Sequence, residues 1–402
     1  MHHCQDTISR SLALSLAGLL LFVPAIFLPL MTFSKIGMNE SDNILQTILE
    51  FINQDYYIVA IAVFFSAVLF PLMKLSLLTG ISFSLKTNRY SKMLGRGFRL
   101  YNHLEEWAMT EVYMLGIMIT IIKMYQTAEI TYNTGFYCFI GVVIFTMASS
   151  LSVCKESFWN LIESKGRSAL HQYSDPEILT QGVTSMTAAD NNIILCMDCG
   201  KLEYNQCSKA IMKQTCSRCG ATLHQRIPGS ISKTWAFLLT ATILFFPANL
   251  LPIMRVEFLG VPSNSTILDG IKLFFQDGSY IIAFIILTAS IIIPIFKVVS
   301  LLIVLLTIHN NRPNFLRQKT LMFRIVEFIG RWSMLDIFVI ALLGSYVNFS
   351  FLTSIHTAPA ATYFCLVVIT TMLAAITFDP RLMWDLVNKD TARIDTAGKP
   401  GG

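Results

Sequence analysis

The chain has 402 residues, of which 54% are hydrophobic and 14% charged, with a formal net charge of +5 and a mean hydropathy of +0.58. That balance lies far from a soluble globular average and puts most of the chain in lipid. No glycine-rich phosphate loop, G-x-S-x-G elbow or H-E-x-x-H pair occurs, so hydrolytic chemistry has no support, and neither an enzyme nor a nucleic-acid partner is expected.

In chain order, residues 1–10 read as a short polar cytoplasmic N-terminus, where His2, His3 and Cys4 are too few donors for a metal site. An apolar run from Ser11 to Phe33 is long enough to cross a bilayer, which takes about 20 residues, and further spans are predicted at 57–85, 108–124 and 135–153. These make a first four-helix membrane repeat over 11–164. It closes on Lys155 to Ser164, a short helix expected at the membrane surface with Trp159 at headgroup level. A polar linker covers 165–192 and a small module 193–226. Spans at 234–254, 280–308, 333–350 and 360–378 then make a second repeat over 234–388, and 389–402 read as a disordered tail. A cleaved leader over 1–33 is the alternative for the first run; the recurrence of Pro24 and Pro29 in the second half argues against it.

Within the central module, Cys196-Met-Asp-Cys199-Gly is answered by Cys216-Ser-Arg-Cys219-Gly. A CxxC turn followed by glycine forms a knuckle whose thiolates face one ion, and two knuckles complete a tetrahedral sulfur site. Cys196, Cys199, Cys216 and Cys219 are therefore the expected zinc ligands of a zinc ribbon. A redox dithiol is the competing use of CxxC, disfavoured by the matched pairs and by the lack of a βαβ pattern. Cys207 reads as a bystander, and the scattered Cys4, Cys138, Cys154 and Cys365 imply a reducing compartment rather than a disulfide framework.

The apolar halves align with each other. Phe22 to Met31 matches Phe245 to Met254, and Pro71 with Lys74 matches Pro294 with Lys297, both at a spacing of 223. Trp107 with Glu111 matches Trp332 with Asp336, and Trp159 matches Trp384, at 225. So many features in one order imply an internal duplication. Basic residues crowd the 86–99 and 312–331 loops, whereas 34–56 and 255–279 carry few, so the positive-inside rule puts the basic loops, both termini and the ribbon in the cytoplasm. The expected fold is an all-α polytopic membrane protein: two parallel repeats of four transmembrane helices with a small cytoplasmic zinc ribbon between them.

Lys74 and Lys297 each lie about twelve residues, roughly 18 Å, from the cytoplasmic end of a span, too deep for easy snorkelling. A lysine there costs at least about 2.5 kcal/mol. Pro71 and Pro294 deprive the carbonyls of Ala67 and Ser290 of their usual donors. The lysines read either as structural ion pairs or as a proton relay, with Glu111 and Asp336 as natural partners. Ser333 and Thr371 could join that cluster or bond their own backbone. Lys123, near the outer end of a span, is expected to snorkel. Pro24 with Pro29, and Pro247 with Pro252, are expected to break the first helix of each repeat. The break is either a packing kink or the lining of a substrate cavity, to which Asn249 adds polarity.

Together with the ribbon and the duplication, four stretches carry a family resemblance. They are Phe246-Pro-Ala-Asn-Leu-Leu-Pro252, Pro294 with Lys297, Gly330-Arg-Trp-Ser-Met-Leu-Asp336 and Phe378-Asp-Pro-Arg-Leu-Met-Trp384-Asp. The chain resembles the paraquat-inducible protein A family, which includes the LetA proteins, over almost its whole length. The resemblance implies a bacterial inner-membrane protein that loads or unloads lipid for a periplasmic MCE-domain partner, in a system carrying phospholipids across the envelope. Proton coupling through Lys297 and Asp336 is a further expectation. By the same resemblance Lys297, Ser333, Asp336 and Thr371 are polar transport positions in the membrane core, with Lys74 and Glu111 as their first-half counterparts. Family members carry a ribbon before each membrane half; only ten residues precede the first span, so a first ribbon is not expected here. The rival expectations are a non-transporting membrane anchor for the MCE partner and a zinc- or thiol-responsive membrane regulator.

Overall fold

The computed structural model describes residues 2–385 except 36–37, 88, 90–92, 125–128, 171–192, 205–213, 259–260, 277, 279, 311–314 and 347–352. Its elements run in two series of similar order. The first is α1 (His2–Phe27), β1 (Met31–Lys35), β2 (Met38–Asp42), α2 (Ile44–Asn53), α3 (Tyr57–Val63), a π-helical segment (Phe64–Leu69), α4 (Phe70–Lys86), α5 (Met93–Trp107), α6 (Thr110–Met124), β3 (Glu129–Tyr132), α7 (Thr134–Ser152) and α8 (Lys155–Leu170). The ribbon contributes β4 (Ile193–Leu195) and β5 (Leu202–Tyr204). The second series is α9 (Ser230–Leu250), β6 (Met254–Phe258), β7 (Val261–Ser265), α10 (Ile267–Gln276), α11 (Tyr280–Leu287), a π-helical segment (Thr288–Ile292), α12 (Ile293–His309), α13 (Leu316–Gly330), a 3-10 turn (Arg331–Met334), α14 (Leu335–Tyr346), β8 (Thr353–Thr357) and α15 (Ala360–Thr377).

Six helical stretches are long and apolar enough to cross a membrane: Thr7–Phe27, Tyr57–Lys86, Thr134–Ser152, Ser230–Leu250, Ala283–His309 and Ala360–Thr377. Each lies within a few residues of a predicted span. The remaining two predicted spans hold shorter helices. The 15 residues of α6 and 12 of α14 reach about 22 and 18 Å, against a hydrocarbon core of about 30 Å. Large apolar side chains such as Leu20 and Val23 on α1, and Ile243 and Leu250 on α9, point outward, as a lipid-facing surface requires. Buried hydroxyls zip the helices together inside: Ser11 meets Ser82 at 3.1 Å, Thr79 donates to Ser15 at 3.0 Å, and Thr234 meets Thr377 at 3.4 Å.

The chain divides into two compact units. One comprises Met1–Leu28, Ser66–Thr110 and Thr134–Gln225, and the other Pro29–Phe65, Glu111–Asn133 and Arg226–Gly402. In the first unit α1 packs on α4 and α7; in the second α9 packs on α12 and α15.

Proline shapes both series, though not as broken helices. α1 runs through Pro24 and α9 through Pro247. The carbonyl of each proline closes a last turn, accepting from Leu28 N–H at 3.0 Å and Leu251 N–H at 3.1 Å. The helix stops only before Pro29 and Pro252, which have no N–H to continue it. The expected break is therefore a single stop at the second proline of each pair. Ahead of Pro71 and Pro294 the helix widens into its π-helical segment, so the backbone ladder itself shifts to absorb the missing donor. Ile293 N–H donates to the Thr288 carbonyl five residues back, and Met109 N–H takes the Ser66 carbonyl at 3.2 Å.

Past each stop the chain forms an antiparallel three-stranded sheet, in the orders β2-β1-β3 and β7-β6-β8. The all-α expectation is corrected here. Met31 and Phe33, read as the end of a span, are the buried positions of β1, alternating with half-buried Thr32 and Ser34. α2 follows, buries Ile44, Thr47, Ile48 and Phe51 at helical spacing, and is capped reciprocally by Asn43 and Gln46. α8 runs on to Leu170, into the stretch read as linker. The rest of that linker, Cys207 and the 389–402 tail lie outside the described residues, as do the side chains of His2, His3, Cys4 and Lys123.

Candidate metal centre and buried lysines

Each knuckle of the ribbon is closed by its own backbone. Gly200 N–H donates to the Cys196 carbonyl (3.0 Å) and Cys196 N–H to Lys201 (2.9 Å); Gly220 N–H donates to Cys216 (2.9 Å) and Cys216 N–H to Ala221 (2.7 Å). Both turns need a left-handed residue, and Gly200 and Gly220 supply it with φ of 71° and 70°. The result brings the Sγ atoms of Cys196 and Cys219 to 3.5 Å and those of Cys199 and Cys216 to 3.6 Å, all four lying within 4.8 Å of one another. A tetrahedron with metal–sulfur bonds of about 2.3 Å has edges of roughly 3.8 Å, so the four buried thiols fit one ion in a closed all-sulfur site. Hydrogen bonds from the other thiols, Cys199 first, hold Cys196 below the ordinary thiol range, while the bond to Cys196 pushes Cys199 above it. A cation among them removes that competition by stabilising all four as thiolates.

The ribbon is a docked module, which its sequence alone did not reveal. Its cysteines share a core with Phe98 and Tyr101 of α5 and with Phe158 and Trp159 of α8. Phe98 stacks on Phe158 at 5.3 Å and meets the edge of Trp159 at 4.9 Å. Trp159 is thus buried beneath the ribbon, correcting the expectation of a headgroup anchor. Arg218, inside the second knuckle, lies 5.9 Å from the Trp159 ring, donates to its carbonyl at 3.3 Å and pairs with Glu163 at 3.1 Å. Lys201 reaches the other oxygen of Glu163 at 2.9 Å. Contact is close enough that a Cβ at Gly95 would stand 2.9 Å from the Arg218 carbonyl.

The two deep lysines are buried in protein, Lys74 being 4% exposed and Lys297 1%. Lys74 Nζ donates to Ser150 Oγ on α7 at 2.9 Å and lies 5.9 Å from the Tyr101 ring centre. Lys297 Nζ donates to the Gly330 carbonyl at 3.2 Å, where α13 passes into the 3-10 turn. Three residues on, Ser333 is 2% exposed and its Oγ has no hydrogen-bond partner among the described residues. Thr371 takes the plainer course and donates to the Val368 carbonyl of its own helix at 2.9 Å. Glu111 opens α6 and is half-buried in the second compact unit, while the contacts seen for Lys74 belong to the first. The side chain of Asp336 lies outside the described residues. Asn249 donates to the Phe245 carbonyl at 2.9 Å, binding its own helix rather than a cavity. Sequence reasoning missed Ser150, Tyr101 and the Gly330 carbonyl, because a serine near a helix end, an aromatic in a basic loop and a backbone oxygen carry no pattern.

A family model described as Paraquat-inducible protein A matches residues 8–163 and 231–388, the two segments that flank the ribbon. The chain is 32% identical over 389 residues to the lipophilic envelope-spanning tunnel protein A of Escherichia coli K12, covering 97% of this chain and 85% of that protein. It is 32% identical over 290 residues to the intermembrane transport protein PqiA of the same strain, covering 71% of this chain and 65% of that relative. A Haemophilus influenzae protein described as a probable intermembrane transport protein is 29% identical over 393 residues, 96% of this chain and 88% of its own. No solved structure matches.

Proposed function

From the premise that this chain belongs to the paraquat-inducible protein A family, we propose that it is the inner-membrane component of a system moving lipid across the bacterial envelope. It loads or unloads phospholipid for a periplasmic MCE-domain partner. The observation that carries the reading is Lys297, whose ammonium is fully buried on a helix long enough to cross the membrane, next to a turn that also buries the Ser333 hydroxyl, which has no partner among the described residues. Bilayer energetics penalise such groups by a few kcal/mol unless they serve a polar path, and proton coupling through Lys297 and Asp336 is the path we assign. The names of the relatives, which speak of intermembrane transport and an envelope-spanning tunnel, support the transport reading.

In this reading α6 and α14 are the third spans of two parallel four-helix repeats, and the ribbon and both termini are cytoplasmic. Zinc is the ion of the four-cysteine site, since thiolates in a closed tetrahedron suit it and such sites are structural. The docking of the ribbon on α5 and α8 supports a structural part over a sensor. Replacing Lys297 by Met or Asp336 by Asn tests the relay, with lipid transfer to the partner measured in reconstituted membranes and the amount of folded protein measured alongside. Transfer should be abolished at unchanged protein level. Undiminished transfer would reject the relay, and loss of folded protein would favour an anchor whose charges are structural.

A further inference from the structure

Between α5 and the ribbon lies a cleft of ≈ 510 Å³. Arg96, Arg99 and His103 line it from α5, at the i, i+3 and i+7 positions of one helix stripe, and Ala221 and Thr222 line it from the turn after the second knuckle. The only carboxylate in its lining is Asp198, 4.0 Å from Arg99 and 3.4 Å from His103. Glu106 also acts on His103, one turn further along α5. Arg96 leans over the second knuckle, where a Cβ at Gly220 would stand 3.9 Å from its Nε. The concave surface thus gathers two arginines, a histidine and a threonine around a space larger than a phosphate group. Met93 and Leu100, seven residues apart on the same helix, are 71% and 42% exposed, and Leu100 also lines the cleft. α5 follows directly on the membrane-crossing stretch Tyr57–Lys86, which puts basic groups and exposed apolar side chains together where a span ends.

We propose that this cleft binds a phosphate group, carried either by an anionic phospholipid headgroup or by a soluble phosphate. The planar guanidinium forks of Arg96 and Arg99 match phosphate oxygens, and Thr222 supplies a further donor. The ligand shares Arg99 and His103 with Asp198, so its occupancy is linked to the seating of the ribbon on α5. The site does not depend on the lipid-transport reading, because it is built from the ribbon and α5 alone.

The test uses the purified full chain with its metal retained, in nanodiscs of phosphatidylcholine. In one arm phosphatidylglycerol is added and retained molecules are counted by native mass spectrometry; in the other, inorganic phosphate is titrated calorimetrically. A surface arginine contributes about fivefold to attraction of an anionic headgroup, so Arg96→Gln with Arg99→Gln should weaken binding roughly thirtyfold. The arm in which that loss appears identifies the source. Thr222→Glu leaves the Arg99–Asp198 contact in place and should cause a comparable loss, which guards against simple undocking of the ribbon in the arginine variant. Absence of binding in both arms, wild-type binding by Thr222→Glu, or an equal loss from Arg317→Gln with Lys319→Gln on α13 would each overturn the proposal.

Discussion

Asp379, a residue named only as part of a short motif, shows how much one buried carboxylate can hold. It is completely buried just past the end of α15. Its oxygens accept from the Arg381 guanidinium at 3.0 Å, from Arg381 N–H at 3.0 Å and from Ile227 N–H at 3.2 Å, and its own N–H donates to Ser230 Oγ at 2.9 Å. Next to it Arg226 pairs with Asp385 through Nε at 2.7 Å. The chain leaving the ribbon is thereby tied to the end of the last span. Burial alone would raise the Asp379 carboxyl, but the hydrogen bonds from Arg381 and the backbone outweigh it and hold the group below the ordinary carboxylate value. A depressed carboxyl contributes stability that is complete above its unfolded value, about 3.9, and is lost as pH falls through the lower folded value. Asp379→Asn should therefore cost about 2–3 kcal/mol at neutral pH, with the deficit shrinking in acid. Thermal melting of the two proteins at pH 7 and near the acid limit checks both parts; equal melting at pH 7 would show that the network holds nothing.

Among the elements, the glycines at close approaches make the sharpest predictions. On α6 a Cβ at Gly116 would meet Phe338 Cβ of α14 at 3.1 Å, beside the edge-on pair Tyr113–Phe338 at 5.2 Å. Gly116→Val should force these helices apart and cost about 1–3 kcal/mol by overpacking, read as a lower melting temperature. At the ribbon, Gly95→Ala puts its methyl against a backbone oxygen that cannot swing away. The expected outcome is faster hydrogen exchange in α8 and the knuckles at unchanged metal content; unaltered exchange would mean that the docking tolerates the clash. Neither contact could be read from the chain, since both join segments remote in sequence. The spans could, because an apolar run of about 20 residues has one physical solution in lipid. The sheets were hidden for a related reason. Met31 and Phe33 alternate with Thr32 and Ser34 in strand fashion, but they continue an apolar run that had already been assigned to a helix.

For the molecule as a whole, the recurrence of elements, strands and π-helical segments included, extends the duplication read from prolines, lysines and tryptophans to parts where the two halves share little sequence. The paired CxxC turns made the four-cysteine cluster legible, whereas the partners of Lys74 and Lys297 were not, because hydroxyl and carbonyl groups are too common to mark a position. What the recurrence does not supply is sidedness, which rests on the loop charges. Cys154 offers a direct test. It is exposed just beyond the helix Thr134–Ser152, and a hydrogen bond with Ser157 lowers its thiol below the ordinary value. Ser263, an exposed residue of β7, lies on the opposite side if the basic loops are cytoplasmic. In chains carrying Cys4→Ser and Cys207→Ser, a membrane-impermeant maleimide should label Cys154 only from the cytoplasmic face, and a Ser263→Cys variant should gain label only from the periplasmic face. The remaining cysteines are the buried ribbon set, buried Cys365 and half-buried Cys138 in a membrane helix, so they set the background. Labelling of both positions from one face would place an even number of crossings between them where the single span Ser230–Leu250 is expected, and the parallel-repeat topology would have to be abandoned.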